Sequence, residues 1–348
     1  MKIKSHRGVY NVTFNTPITN LFDNVDNKFF IIDKNIKKLF PAVCNKVKNV
    51  TYITAKEDNK NLEFCTSLID MLLKKNIKKN HTIIAIGGGI TQDITCFIAS
   101  TLFRGIDWYF VPTTLLAQAD SCIGSKSSIN FKSFKNLLGG FYPPKKILCS
   151  TDFLTTLSKN DVKSGLGEIL HFLFVGNSKL LSSFQHDYND LVNLKPIVNQ
   201  YIKESLTIKK YTVEKDEFDT STRQLNNFGH TFGHALETAT QYRITHGQAI
   251  TIGMSIANYI SYNLNFINEE KFNYINTIIN CNKPDVKLSI EEKRKFFNAL
   301  KKDKKNINNS LVCILHKTHN TTKLEIVTLD NIDKVKNIIN NYFAKYEH

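Results

Sequence analysis

The chain has 348 residues, with 46 Lys+Arg against 31 Asp+Glu and a formal net charge of +15. That length exceeds what one hydrophobic core usually organises, so two domains are expected. Hydrophobic residues at 42% and charged residues at 22% exclude wholesale disorder. The absence of any apolar run approaching roughly 18 residues excludes an integral membrane protein.

The start, MKIKSHRGVYNVTF, lacks the apolar stretch of a signal peptide, so a cytoplasmic location without a membrane partner is expected. Short β-branched or aromatic runs then follow at Lys28–Asp33, Val50–Ala55, Thr82–Ile86 and Asp107–Pro112. Helix-length stretches separate them, among them Asn61–Lys75, with Leu62, Cys65, Leu68, Ile69 and Leu72 at 3–4 spacing, and Thr91–Phe103. This alternation points to βαβ units and a mostly parallel sheet in residues 1–150.

Pro112–Pro144 reads as a packed loop rich in Gly, Ser and Lys, irregular from Gly139 to Pro144. Beyond Thr151 helical patterns dominate, at Asp161–Val175, Leu191–Tyr211, Asn227–Ala239 and Gly247–Leu264. Strand-like runs return at Leu311–His316 and Lys323–Leu329. An α/β nucleotide-binding domain (1–150) is thus expected before a mainly α-helical domain (151–348), with a cleft between them.

The cysteines Cys44, Cys65, Cys96, Cys122, Cys149, Cys281 and Cys313 are odd in number and form no C-x-x-C. Free, mostly buried thiols are expected, with neither a disulfide framework nor a thiolate zinc site. Lys and Asn are mixed diffusely, as in KKNIKKN and KKDKKNINN, which favours a solvated surface over a nucleic-acid stripe. A phosphorylated small molecule remains a suitable partner for the positive charge.

Three segments carry chemistry. Gly87-Gly88-Gly89 follows a buried-looking strand and precedes a helix, which suits either a tight turn or a phosphate meeting amide N–H groups. Asp93 just beyond suits a hydroxyl more than a phosphate. Lys126, Lys135 and Asn136 sit among small polar residues, where lysine ammonium groups reach phosphate oxygens. In Asn227–His234, NFGHTFGH, a helix would place Phe228, Phe232 and Leu236 on one stripe and His230 and His234 on another. His246 adds an imidazole and Glu168 a carboxylate. Two histidines and one carboxylate make a catalytic-zinc type of set.

In order, GGGITQD (Gly87–Asp93), FRG (Phe103–Gly105), PTTLLAQADS (Pro112–Ser121), Lys135–Asn136, TDFLTTL (Thr151–Leu157), GLGEIL (Gly165–Leu170), NFGHTFGHALE (Asn227–Glu237), His246–Gly247 and Asp303–Lys305 resemble the 3-dehydroquinate synthase family of sugar-phosphate cyclases. The resemblance implies a Rossmann-like NAD-binding domain, a helical metal-binding domain and a homodimer. It implies conversion of 3-deoxy-D-arabino-heptulosonate 7-phosphate to 3-dehydroquinate and phosphate. Transient oxidation by NAD, β-elimination of phosphate, re-reduction and aldol closure would follow one another, aided by zinc or cobalt.

Carried over by position, the resemblance makes Glu168, His230 and His246 metal ligands. Glu57, Lys60, Gly88, Gly89, Asp93, Thr113, Thr114, Lys126, Lys135, Phe153 and Thr156 become NAD-contacting residues. Asp120, Lys126, Asn136, Asn227, His234 and Lys305 would surround the substrate and its phosphate, with Arg104 supplied across the dimer. Lys209 and Arg223 would meet the substrate carboxylate. Four positions depart from the family pattern: His171 stands for Lys, Ser125 and Phe134 for Gly, and Gln248 for Glu. A divergent cyclase for another ketose or hexose phosphate is therefore the rival expectation, and a metal-dependent polyol dehydrogenase a more distant one.

Overall fold

The computed structural model describes residues 1–17, 27–132, 134–301, 310–318, 323–330 and 332–346. Lys305, with the run Asp303–Lys305, lies outside the described residues. The chain gathers into two compact units, Met1–Ser158 with Lys209–Phe218, and Lys159–Ile208 with Asp219–His348.

The first unit opens with β1 (Lys2–Ser5), β2 (Gly8–Thr13) and β3 (Lys28–Asp33), then α1 (Lys34–Leu39), α2 (Pro41–Cys44) and β4 (Val50–Ile53). It continues through α3 (Leu62–Lys74), β5 (Thr82–Gly87), α4 (Gly89–Thr101), β6 (Asp107–Pro112), β7 (Lys126–Phe131), β8 (Phe134–Phe141) and β9 (Lys146–Leu148). The main sheet has the order β1-β2-β9-β6-β5-β3-β4 and is parallel apart from the β1–β2 pair. β3 and β5 are buried almost end to end, which explains their unbroken apolar runs: strands covered on both faces need no alternation. On one face Phe30, Ile32, Ile84 and Ile86 pack with Ile36 and Phe153. Strand order reverses between β3 and β5, so the carboxyl ends of these strands form the switch point where α/β sheets accept ligands.

The second unit is built from α5 (Lys159–Val175), α6 (Leu180–Val192), α7 (Val198–Lys215) as far as Ile208, α8 (His230–Ala239) and α9 (His246–Asn263). It is completed by α10 (Glu269–Asn280), α11 (Ile290–Lys301), the antiparallel pair β10 (Leu311–His316) and β11 (Leu324–Leu329), and α12 (Ile332–Tyr346). Helix α9 is buried from Gly247 to Ser261, and α5, α8, α10, α12 and β10 surround it. A helix enclosed in this way is apolar around its circumference rather than along one stripe. Among the described residues, no helix is long and apolar enough to cross a membrane.

Four expectations are corrected. Pro112–Pro144 is packed only in its first part, where Leu115 is buried, because Lys126–Phe141 forms the β7–β8 hairpin with a bulge between Ile129 and Phe131. Leu137 is 46% exposed, so the leucines of β8 do not anchor it; strand pairing does. The nominally irregular Gly139 lies in that ladder, where a Cβ would fall 1.9 Å from the Ser127 carbonyl oxygen. Leu191–Tyr211 is two helices: Leu194 takes a left-handed φ of 55° and Pro196 follows, which ends the ladder. Asn227–Ala239 is also interrupted, since Gly229 has φ 78° and α8 begins only at His230. The seven cysteines are free, and all but the half-buried Cys281 are buried.

Candidate active site

In the first unit, β5 ends at Gly87 and α4 starts at Gly89, with Gly88 as an N-cap that offers no side-chain acceptor. The first amides of α4 therefore lack a side-chain cap and suit an anion. A Cβ on Gly88 would lie 3.1 Å from Thr114 Cγ2, whereas one on Gly89 would meet nothing nearer than Ser121 Oγ at 3.9 Å. Thr113 is buried, and its N–H donates to the Gly87 carbonyl at 3.0 Å, pinning this turn to β6.

One turn into α4, Asp93 Oδ2 lies 2.7 Å from Lys60 Nζ. Lys60 also donates to Asn136 Oδ1 at 2.7 Å. Burial lifts the Asp93 carboxyl above its ordinary value, against the pull of Lys60. Asn130 completes the group: its Oδ1 accepts from the Asn136 N–H at 2.9 Å, and its Nδ2 donates to Glu57 Oε1 at 2.9 Å. Lys135 Nζ stands 3.6 Å from the same Glu57 oxygen. The structure thus brings Glu57, Lys60, Asp93, Lys135 and Asn136 into one polar network.

A second network surrounds the π-helical turn Ala117–Ser121, which Gln92 of α4 anchors through bonds to Ser121 of 2.6 and 2.7 Å. Asp120 on this turn accepts from Lys209 Nζ at its side chain, 2.6 Å, and at its carbonyl, 2.8 Å. Farther along, Ser125 adopts φ 65°, a conformation that favours glycine. Its hydroxyl donates to Glu217 Oε1 at 2.6 Å. The Glu217 carboxylate also accepts from Ser5 Oγ and the His6 N–H, both at 2.7 Å. Burial opposes the charge, but these donors hold Glu217 below the usual carboxylate range.

A carboxyl depressed in the folded state contributes stability in full above its unfolded value, about 4.3, and loses it as pH falls through the folded value. Thermal unfolding is therefore expected at lower temperature for Glu217→Gln than for wild type at pH 7. That gap should narrow below about pH 4.3; a gap independent of pH would contradict the role given to the carboxylate.

In the second unit, α5 carries Glu168 (1% exposed) and α9 begins at His246. The two helices meet backbone to backbone. A Cβ on Gly167 would lie 2.0 Å from the Gly247 carbonyl oxygen, and one on Gly247 1.8 Å from that of Ser164. The Gly247 N–H donates to Ser164 Oγ at 3.0 Å. That contact sets Glu168 Oε1 3.1 Å from His246 Nε2. Helices α8 and α9 are equally close, with a Cβ on Gly253 falling 2.0 Å from the Gly229 carbonyl oxygen. His230 Nε2 consequently stands 3.8 Å from the same Glu168 oxygen.

The donor set fits a divalent metal ion. Donor atoms of His230, His234 and His246 lie within 4.8 Å of one another. Glu168 Oε1 is enclosed and receives no hydrogen bond of acceptable geometry. His230 Nδ1 faces the Phe228 carbonyl at 3.2 Å; a carbonyl only accepts, so the proton sits on Nδ1 and Nε2 is bare toward Glu168. Burial and the neighbouring imidazoles push His230 well below the usual histidine range, whereas its contact with Glu168 acts in the opposite direction. Burial would raise Glu168, but His230, His246 and His171 outweigh it and hold the carboxyl well below its usual range. A carboxylate and a neutral imidazole are the forms that bind zinc or cobalt.

The remaining candidates fall as follows. His171, one turn after Glu168, is fully buried, with Nδ1 3.6 Å from Glu168 Oε2 and its ring 4.9 Å from that of His230. Arg223 is buried, and the Asn227 side chain donates to the Gln224 carbonyl at 2.9 Å. Lys126 is exposed at the start of β7. Phe153 belongs to the core, 5.1 Å edge-on to Phe40, and Thr156 bonds back to its carbonyl at 3.4 Å. Arg104 is not gathered in: it precedes β6, whose first residue pairs with Thr82, at the sheet end opposite Gly87. Gln248 accepts from Thr245 Oγ1 at 2.9 Å across the first turn of α9.

Sequence reasoning assigned no role to Asn130, Glu217 or Glu237. Asn130 meets Asn136 only because the β7–β8 hairpin folds back on itself, and Glu217 leaves no local signal, since its partners are distant in sequence. Glu237 has one: with His230 and His234 it makes an i, i+4, i+7 polar stripe on α8.

Comparison with known proteins agrees with this architecture. The family profile described as 3-dehydroquinate synthase N-terminal matches residues 50–164, and that described as 3-dehydroquinate synthase C-terminal matches residues 165–306. A 3-dehydroquinate synthase of Pelagibacter ubique is 36% identical over 314 residues, covering 87% of this chain and 82% of the relative. A 2-deoxy-scyllo-inosose synthase, solved with carbaglucose-6-phosphate, NAD+ and Co2+, superposes with a TM-score of 0.87 at 24% identity over 98% of this chain and 99% of the other. A 2-epi-5-epi-valiolone synthase of Streptomyces hygroscopicus subsp. jinggangensis, solved with NAD+ and Zn2+, gives 0.86 at 21% identity over 97% of each chain.

Proposed function

Because this chain belongs to the 3-dehydroquinate synthase family, we propose that it converts 3-deoxy-D-arabino-heptulosonate 7-phosphate to 3-dehydroquinate and phosphate, using NAD and a zinc or cobalt ion. The observation that carries the reading is the cluster of Glu168, His230 and His246, assembled in a chain whose two parts match both parts of that family. The conversion is redox-neutral overall, so NAD is needed only in catalytic amount. When bound, NAD supplies a reversible hydride acceptor and the metal ion supplies Lewis acidity at a substrate oxygen.

The chain's own residues do the rest. Glu168, His230 and His246 hold the metal ion. Gly88, Gly89, Thr113 and Thr114 form the turn that receives the NAD phosphates. Lys60, held between Asp93 and Asn136, and Lys135, beside Glu57, fix the hydroxyl-binding and charged groups around NAD. Phe153 and Thr156 shape that pocket from the core side, and Lys126 serves both NAD and substrate.

Lys209, oriented by Asp120, and Arg223 receive the substrate carboxylate; a guanidinium can do so through two parallel bonds. Asn136, Asn227, His234 and Lys305 complete the substrate and phosphate contacts. Arg104, at the far end of its own strands, acts from a second copy in a homodimer.

The purified protein, given catalytic NAD, zinc or cobalt and the heptulosonate phosphate, is expected to release phosphate and 3-dehydroquinate in equal amounts without accumulating NADH. Absence of product under these conditions contradicts the reading. One observation favours a second reading, a cyclase for another ketose or hexose phosphate: His171 stands against Glu168 where the family pattern has a lysine ammonium. Turnover of such a phosphate in preference to the heptulosonate would decide for it.

A further inference from the structure

The His246 imidazole lies between two carboxylates. Its Nε2 is 3.1 Å from Glu168 Oε1, and its Nδ1 is 3.1 Å from Glu237 Oε2. Neutral imidazole carries one proton, and a carboxylate can only accept it. The proton therefore belongs on whichever nitrogen is not needed for a metal ion.

We propose that Glu237 is a positioning residue of the metal site: it accepts the Nδ1–H of His246, fixing the ring orientation and leaving Nε2 as the nitrogen that would turn to a metal ion beside Glu168. The inference rests on Glu168, His230 and His246 being the metal-holding residues. The Phe228 carbonyl does for His230 what Glu237 does for His246, so both imidazoles present Nε2 to the same oxygen. Glu237 meets the opposite ring nitrogen and thus does not compete for the ion. Its side chain is only 13% exposed, unlike the solvated ion pairs whose removal changes little. Its place on α8 follows from the stripe His230, His234, Glu237, which puts all three side chains on one helix face.

The test uses the full chain, stripped of metal by chelation and then titrated with zinc against a chromophoric chelator. Wild type is compared with Glu237→Gln, Glu237→Ala and Glu168→Gln. Glu237→Ala is expected to weaken zinc binding by about 10–100-fold, the usual cost of losing such an orienting partner. Glu237→Gln keeps an acceptor without the charge and should lose less. Both should lower the melting temperature of the metal-free protein, because the contact with His246 is lost there too, so zinc affinity is compared at a temperature where every variant is folded. The visible absorption band of bound cobalt should shift, because the ring leaves its set orientation.

Wild-type zinc affinity and an unshifted cobalt band in Glu237→Ala would overturn the proposal. If that variant fails to fold, the same result in Glu237→Gln overturns it. Zinc binding that survives Glu168→Gln overturns the metal-site assignment itself, and failure of wild type to bind zinc overturns both.

Discussion

Glu168→Gln is expected to leave the chain folded and unable to retain a divalent ion. The substitution preserves volume, so α5 and α9 keep their packing, but it removes the negative charge toward which both His230 and His246 direct Nε2. Loss of about 4 kcal/mol of charge stabilisation lowers turnover by roughly 10³-fold. Metal content per chain, measured beside the rate of phosphate release, checks this. A glutamine variant with full metal content and a rate within about tenfold of wild type would show that Glu168 is not a ligand.

Gly247→Ala should have the second large effect, by a different route. The added methyl would lie 1.8 Å from the Ser164 carbonyl oxygen, which is backbone and cannot rotate away. The helices must separate, and overpacking of this kind costs about 3 kcal/mol or more. Separation draws His246 from Glu168, so zinc affinity should fall by about 100-fold even where the protein remains folded. The expected signature is a lowered melting temperature together with weakened zinc binding. Lowered stability with unchanged zinc affinity would mean that the helix crossing does not set the site.

Much of the architecture was legible because buried strands and helices leave periodic traces. The runs Lys28–Asp33, Thr82–Ile86 and Asp107–Pro112 are strands, and the apolar spacing in Asn61–Lys75 is that of α3, which Asn61 caps by accepting from the Phe64 N–H at 2.8 Å. The misreadings have one common cause. The packing expected of Pro112–Pro144 fails at Leu137, because a hairpin holds itself by main-chain bonds and can leave such a side chain exposed. The helix expected over Asn227–Ala239 starts only at His230, because Gly229, with φ of 78°, is the point at which the chain turns into it.

The departures from the family pattern likewise acquire reasons only in three dimensions. Ser125 occupies a glycine-like conformation, and its hydroxyl finds Glu217, a residue 92 positions away. Gln248 binds Thr245 at the mouth of α9.

The sequence by itself determined the class of the protein: the order of its motifs, the α/β then helical texture, and the residue types able to hold a metal ion and a dinucleotide. Its +15 charge was a weak guide: of the lysines given roles, Lys60 and Lys209 are largely buried and paired with Asp93 and Asp120, whereas Lys126 is exposed and unmarked by charge alone among the surface lysines. Only the tertiary structure decided which groups meet. Glu168 and His246 are distant in sequence and converge because glycines let two helix backbones touch. Glu237 joins them because His246 must place a proton somewhere, and the carboxylate 3.1 Å from Nδ1 is there to accept it.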